Sequence, residues 1–149
     1  MADRGAQARA DRGRSKNRRA LRLSFAFDRA DVQLVSFRAL EMPAPPSAPL
    51  GEGESLEGVR GAWIELRDSR GQCLWRRILH DPFRTEVETP REGGGFTNVY
   101  REHPRGSLVV LIPDLLEAGS VVLFSSPLER ERRHEPAREV AAFHLPIRR

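Results

Sequence analysis

The residues that could act as acids, bases, nucleophiles or metal ligands are few in this chain and widely spaced. Four histidines and one cysteine are present, at His80, His103, His134, His144 and Cys73. No H-x-x-x-H or C-x-x-C pair occurs, so the short spacings typical of zinc sites are missing. The sequence therefore predicts no metal site.

One histidine stands next to a carboxylate, in the run His80-Asp81-Pro82. A general base needs a partner in reach, but adjacent side chains on an extended chain point to opposite faces. In a turn before a proline, Asp81 is better suited to accept hydrogen bonds from backbone amides. A hydrolase built from His80, Asp81 and a distant nucleophile is one hypothesis, which ranks below the protein-binding and nucleic-acid-binding hypotheses that follow.

The other reactive residue types have simpler explanations. Cys73 lies in a predicted strand, where a free cysteine is expected to behave as a small buried residue. Glycines 93–95 lack the strand-loop-helix context and the Lys-Ser/Thr pair of a phosphate-binding loop. The pair Arg76-Arg77 is expected on the solvated surface. We therefore predict no catalytic residue, no cofactor and no enzymatic activity.

The first 19 residues form a basic arm that carries the net positive charge. They hold seven basic and two acidic residues, whereas residues 20–149 hold 18 basic and 19 acidic ones. The basic residues of the arm are Arg4, Arg9, Arg12, Arg14, Lys16, Arg18 and Arg19. With no large apolar residue after Met1, the arm cannot offset its ordering entropy by burial, so we expect it to be disordered. Its charges could bind nucleic-acid phosphates in a salt-dependent way. The alternative is a solvated tail that aids solubility or docks weakly on an acidic partner.

From residue 20 onward the apolar pattern predicts short strands and no long amphipathic helix. The strand candidates are residues 20–27, 32–38, 62–67, 72–79, 107–112, 120–124 and 139–145, with weaker ones at 85–89 and 97–100. Residues 107–112 and 120–124 are continuously apolar, which favours a central or doubly buried position. Seven to eight strands with short turns indicate one all-β domain at residues 20–149, an antiparallel sandwich.

A long loop at residues 43–61 interrupts this pattern. Its prolines are Pro43, Pro45, Pro46 and Pro49. Because proline fixes φ and has no amide donor, no central strand is expected here. The loop is interpreted either as a mobile surface connection or as a binding loop on a rigid scaffold.

The strand spacing over residues 20–146, with Trp63 and Trp75 in the two arms of one predicted hairpin, resembles immunoglobulin-like or fibronectin-like sandwiches, among them small domains of uncharacterised bacterial proteins. The paired core cysteines of immunoglobulin domains are absent from the sequence. The resemblance implies a fold and no activity, since this architecture hosts many functions. A bacterial source also fits the near-exclusive use of arginine as the basic residue.

These observations predict a non-enzymatic sandwich that mediates protein–protein contact as an accessory or assembly component. The predicted contact residues are Pro43, Pro45, Pro46, Pro49, Trp63 and Trp75. The alternative is a nucleic-acid-associated protein tethered through the basic arm. No run approaches the ~20 apolar residues of a membrane span, and one cysteine cannot form an internal disulfide framework, so we expect a cytoplasmic protein.

Overall fold

The computed structural model describes residues 18–48, 56 and 58–146. The basic residues from Arg4 to Lys16, and Pro49 of the loop, lie outside this part of the chain. The described strands are β1 Ala20–Asp28, β2 Asp31–Leu40, β3 Ala62–Asp68, β4 Cys73–Leu79, β5 Glu86–Pro90, β6 Phe96–Tyr100, β7 Arg105–Pro113, β8 Ala118–Ser125 and β9 Arg138–His144. The predicted antiparallel all-β fold is confirmed, and the count is nine because both weaker candidates form strands.

The strands form two antiparallel sheets and one separate ribbon. The first sheet has the order β2-β1-β7 and the second has the order β4-β3-β8-β9. Among the described strands, β5 pairs only with β6. In β1, Leu21, Leu23, Phe25 and Phe27 are buried, and the residues between them are more exposed. This alternation of period two fixes which face of the first sheet turns toward the core.

The inward faces of the two sheets share one hydrophobic core. Phe25 of β1 and Phe143 of β9 bring their ring centroids within 5.5 Å, which joins the first sheet to the second. Ile64 and Leu66 of β3 and Leu123 of β8 are fully buried in the same cluster. Each such side chain contributes about 1.5–3 kcal/mol through burial, so the core rather than any single bond holds the sheets together.

Two of the sequence expectations on burial are wrong. Cys73 is exposed, because it opens the edge strand β4, where the register shifts opposite Arg67. Strand β7 lies at an edge of the first sheet, and its Val109 is exposed on the outer face, although β8 is central as expected. An apolar run alone does not distinguish an edge strand from a central one, since sheet order depends on distant parts of the chain.

Within residues 18–48, 56 and 58–146, no helix is long and apolar enough to cross a membrane. In the same ranges, no three histidine, cysteine or acidic side chains converge on a point that could hold a metal ion.

Candidate functional site

The described part of the proline-rich loop lies along the outer edge of β4. The amide of Ala48 donates to the carbonyl of Arg76 at 2.7 Å, and the amide of Arg76 donates to Ser47 Oγ at 3.1 Å. Trp75 Nε1 donates to the carbonyl of Pro45 at 3.0 Å. These bonds hold this half of the loop against the second sheet and cover the backbone groups of an edge strand.

The structure brings some of the predicted contact residues together and separates others. Pro45 and Trp75 are joined by their hydrogen bond, whereas Trp63 lies one strand away. Pro43 and Pro46 are exposed, but both indole rings are buried. The part that the two tryptophans play in partner binding stays a prediction, and their burial restricts it to support of the surface around them.

Two exposed apolar side chains of β4, Leu74 and Ile78, were not singled out from the sequence. Leu74 and Ile78 lie two residues on either side of Arg76. Ile78 shares its face of β4 with Arg76, whereas Leu74 is the extra residue at the point where the register of β4 shifts against β3. Leu74 and Ile78 are exposed, at 37% and 44%. We call Pro43, Pro46, Leu74 and Ile78 the strap surface, because they lie on the loop segment and on the strand to which it is bonded.

Under the strap surface, Glu65 of β3 is the centre of a buried charge network. Glu65 stands directly opposite Arg76, and the two residues are only 3% and 8% exposed. Glu65 Oε1 accepts from Arg76 Nε at 2.9 Å and Nη2 at 2.6 Å, and also from Trp63 Nε1 at 3.2 Å. Glu65 Oε2 accepts from Arg67 Nε at 2.9 Å and Nη2 at 2.6 Å. Each arginine thus presents two donors to one carboxylate oxygen.

An aromatic layer closes the network on its other side. The rings of Trp63 and Phe124 stack with centroids 5.2 Å apart and planes within 14°. The guanidinium of Arg67 lies over the same Phe124 ring, 5.4 Å from its centroid. A cation over an aromatic face is attractive, so Arg67 is held both by Glu65 and by Phe124.

The network decides the ionisation of Glu65. Burial by itself raises the pKa of this carboxyl, but the hydrogen bonds and positive charges of Arg76 and Arg67 outweigh burial and leave the pKa below its ordinary value. For Cys73, partial burial of the thiol and the nearby charge of Glu65 raise the pKa. The thiol is therefore protonated at neutral pH and is a weak nucleophile.

Sequence reasoning missed this network and placed Arg76 on the solvated surface, which is wrong. The available signal was the short turn between β3 and β4, which places Glu65 and Arg76 opposite each other once the hairpin forms. Arg77, the next residue, is exposed as expected.

His80 and Asp81 line a cleft of about 340 Å³ that also includes Ser125 and Ser126. Asp81 accepts from the amide and the hydroxyl of Thr85 at 3.0 and 2.9 Å, so it serves the turn before β5. The hydroxyls of Ser125 and Ser126 donate to backbone carbonyls. In the described part of the chain, the cleft therefore shows no hydrogen bond that would activate a serine through His80.

Comparison with protein-family models, with curated proteins and with solved structures found no match to this chain. The function is therefore argued from the surfaces and side chains of the molecule itself.

Proposed function

We propose that this protein is a non-enzymatic sandwich of the immunoglobulin-like type that mediates protein–protein contact as an accessory or assembly component. The strap surface is the observation that carries the proposal. Two of its four exposed apolar residues, Leu74 and Ile78, lie on β4, and the other two, Pro43 and Pro46, lie on the loop segment that hydrogen bonds hold against that strand. Loops fixed on a rigid scaffold are where binding residues concentrate.

The support under the strap surface favours binding for an energetic reason. Association costs the freedom of every side chain and segment that becomes ordered, so a surface ordered in advance loses less. Arg76 joins the two layers, since its backbone holds Ala48 and Ser47 while its guanidinium is held by Glu65. Proline at two of the four positions reduces the remaining backbone freedom further.

The test is a quantitative pull-down from an extract of the source organism with the wild-type chain and with the double variant Leu74→Glu, Ile78→Glu. Two buried contacts at the centre of an interface are worth enough that we expect at least about a tenfold loss of the captured partner. Deletion of the whole loop is less informative, because it would also remove the bonds to β4.

Leu116→Glu is the matched control, since Leu116 is 84% exposed and lies in the β7–β8 connection. It adds a similar charge away from the strap surface, and we expect it to capture the partner as the wild type does. Equal capture by the wild type and the double variant, or no partner above background with the wild type, would reject the strap surface as the binding site.

The net positive charge lies in the basic arm and not in the body of the protein. This favours a second candidate function, a nucleic-acid-associated protein tethered through the arm. The described end of the arm lies beside the start of β1, where the backbone carbonyl of Arg19 accepts from the amide of Asp114 at 3.1 Å. The body that follows has nearly equal numbers of basic and acidic residues. Phosphate binding would therefore depend on the arm rather than on the sheets.

A further inference from the structure

Strand β2 is a long edge strand of the first sheet, and among the described strands it pairs only with β1. It has ten residues, and most of them are exposed. An edge strand offers unpaired amides and carbonyls to a further strand, and proteins commonly protect such edges with charges. From Val32 to Leu40 the only charged residue is Arg38, while Val35 is 66% exposed and Phe37 is 44% exposed. Among the described residues, no further strand pairs with this apolar edge, and β9 of the second sheet contacts β2.

Near each end of β2, a charged residue lies opposite a residue of the same charge in β1. Near its end, Arg38 lies directly opposite Arg22 of β1. At its start, Asp31 lies directly opposite Asp28. Like charges placed opposite each other destabilise a sheet. Asp28 is also paired with Arg105 of β7 at 2.9 Å, so the charges that β2 itself carries are Asp31 at its start and Arg38 near its end.

These two ends are complementary when a second copy approaches antiparallel about a two-fold axis. Centred on the middle of β2, such a pairing places Asp31 opposite Arg38 of the second copy, and Arg38 opposite its Asp31. The same register matches Val32 with Phe37, Gln33 with Ser36, and Leu34 with Val35. The acidic end of each copy thereby neutralises the basic end of the other.

A β-bulge makes this register consistent with the two faces of the sheet. Ser24 pairs with Ser36 and Phe25 pairs with Leu34, so Val35 is an extra residue in β2. One extra residue reverses the alternation of faces along the strand. As a result, Val32 and Phe37 lie on the core side, whereas Asp31 and Arg38 lie on the outer side. The pairs Asp31–Arg38, Val32–Phe37 and Gln33–Ser36 then each join residues of the same face, and the bulge residue Val35 lies at the centre of the interface.

We propose that a second copy of this chain pairs antiparallel along β2 and forms a two-fold dimer with a continuous six-stranded sheet. The strand order of that sheet is β7-β1-β2 of one copy followed by β2-β1-β7 of the second copy. A two-fold interface requires a self-complementary patch, which the acidic and basic ends of β2 supply. This interface is separate from the strap surface, which lies on the second sheet.

The first test measures the dimer dissociation constant by analytical ultracentrifugation of the full chain. We expect a wild-type dimer, with at least about a tenfold weaker constant for Arg38→Asp and for Asp31→Arg, since each places like charges opposite each other twice per interface. The combined variant Asp31→Arg, Arg38→Asp exchanges the two ends and is expected to regain the dimer. Arg77→Asp on β4 makes the same charge reversal away from β2 and should leave the constant unchanged.

A second variant pair avoids the turn at Asp31 and keeps the fold. Val35→Lys places a charge at an exposed position in the middle of the proposed interface, and Val109→Lys does so on the other edge strand, β7. We expect the first to be monomeric and the second to remain dimeric. A wild-type chain that is monomeric up to about 1 mM, or a Val35→Lys chain that dimerises like the wild type, overturns the proposal, and so does a combined charge variant that is as weak as the single ones.

Discussion

A single carboxylate, that of Glu65, receives five hydrogen bonds from three side chains. Transfer of charged groups out of water costs several kcal/mol per ion, and only near-complete pairing offsets that cost. Arg76 Nη1 is buried without a hydrogen-bond partner in the described part of the chain, so the pairing is strong but not complete. Removal of one member would leave a buried charge uncompensated, which makes the network sensitive to substitution.

The first prediction concerns the free energy of unfolding of Glu65→Gln. The amide keeps the shape but removes the negative charge from between two arginines, so we expect a loss of about 3 kcal/mol in urea unfolding at neutral pH. Glu88→Gln on β5 is the matched control, because Glu88 is exposed, and it should change stability by less than about 0.5 kcal/mol.

The loss of stability in Glu65→Gln is predicted to depend on pH. Because the pKa of Glu65 is lowered in the folded state by Arg76 and Arg67, its contribution is complete above the unfolded pKa of about 4.3 and is lost as the pH falls through the lower folded pKa. The stability difference between wild type and Glu65→Gln should thus shrink when the pH is lowered from about 5 toward 3. A difference that stays constant over that range contradicts the assigned ionisation.

The β5–β6 ribbon belongs to neither sheet and depends on contacts at its base. An isolated two-stranded hairpin is marginally stable, so such contacts decide whether it is ordered. The amide of Arg101 donates to the carbonyl of Thr85 at 2.7 Å, and the hydroxyl of Tyr100 donates to the carbonyl of Leu128. Arg133 pairs with Glu86 and lies 5.3 Å from the centroid of the Tyr100 ring.

The second prediction is that Arg133→Ala loosens this ribbon without loosening the core. The ion pair is more than one-third exposed, so it is worth at most about 1 kcal/mol, or roughly a fivefold increase in amide hydrogen exchange of β5 and β6. Exchange in β1 should not change. Arg132→Ala removes a neighbouring arginine that pairs with Glu129 and Glu135 instead, and equal acceleration by both variants would show that the contact with Glu86 and Tyr100 is not the anchor.

Strands with a clear local signal could be predicted from the sequence, but the strands with which they pair in a sheet could not. Alternation in β1 and the polar turn between β3 and β4 are local, and in the turn Gly71 donates to the carbonyl of Asp68 at 3.1 Å. The edge position of β7 depends on pairing with β1, some eighty residues away in sequence. The role of the loop prolines in binding stays a prediction. The hydrogen bond of Pro45 with Trp75 and the burial of Arg76 follow from that long-range order.

At the scale of the whole molecule, the net positive charge lies in the basic arm, whereas the strands lie in the body that follows it. The two sheets share one core, and the two described residues of the basic arm, Arg18 and Arg19, are not among its members. Arg19 touches the body through Asp114, at 3.9 Å between Nε and Oδ2, and its side chain is largely exposed. We therefore expect the fold to be independent of the arm, while phosphate binding, if the second candidate function holds, depends on it.

The last prediction separates these two roles of the chain by salt dependence. If all seven basic residues of the arm contact phosphates, the logarithm of the DNA binding constant should fall with the logarithm of salt concentration at a slope as steep as about −6. Replacement of Arg4, Arg9, Arg12, Arg14 and Lys16 by glutamine in the full chain removes five of those charges at constant length. The slope should then become shallower by about 4.5, because each lost phosphate contact removes about 0.9. Urea unfolding of the same variant should match the wild type within about 0.5 kcal/mol, since surface substitutions away from the core rarely do more. An unchanged slope would place any phosphate binding on the body, whose acidic residues slightly outnumber its basic ones, and would remove the charge argument for the tether.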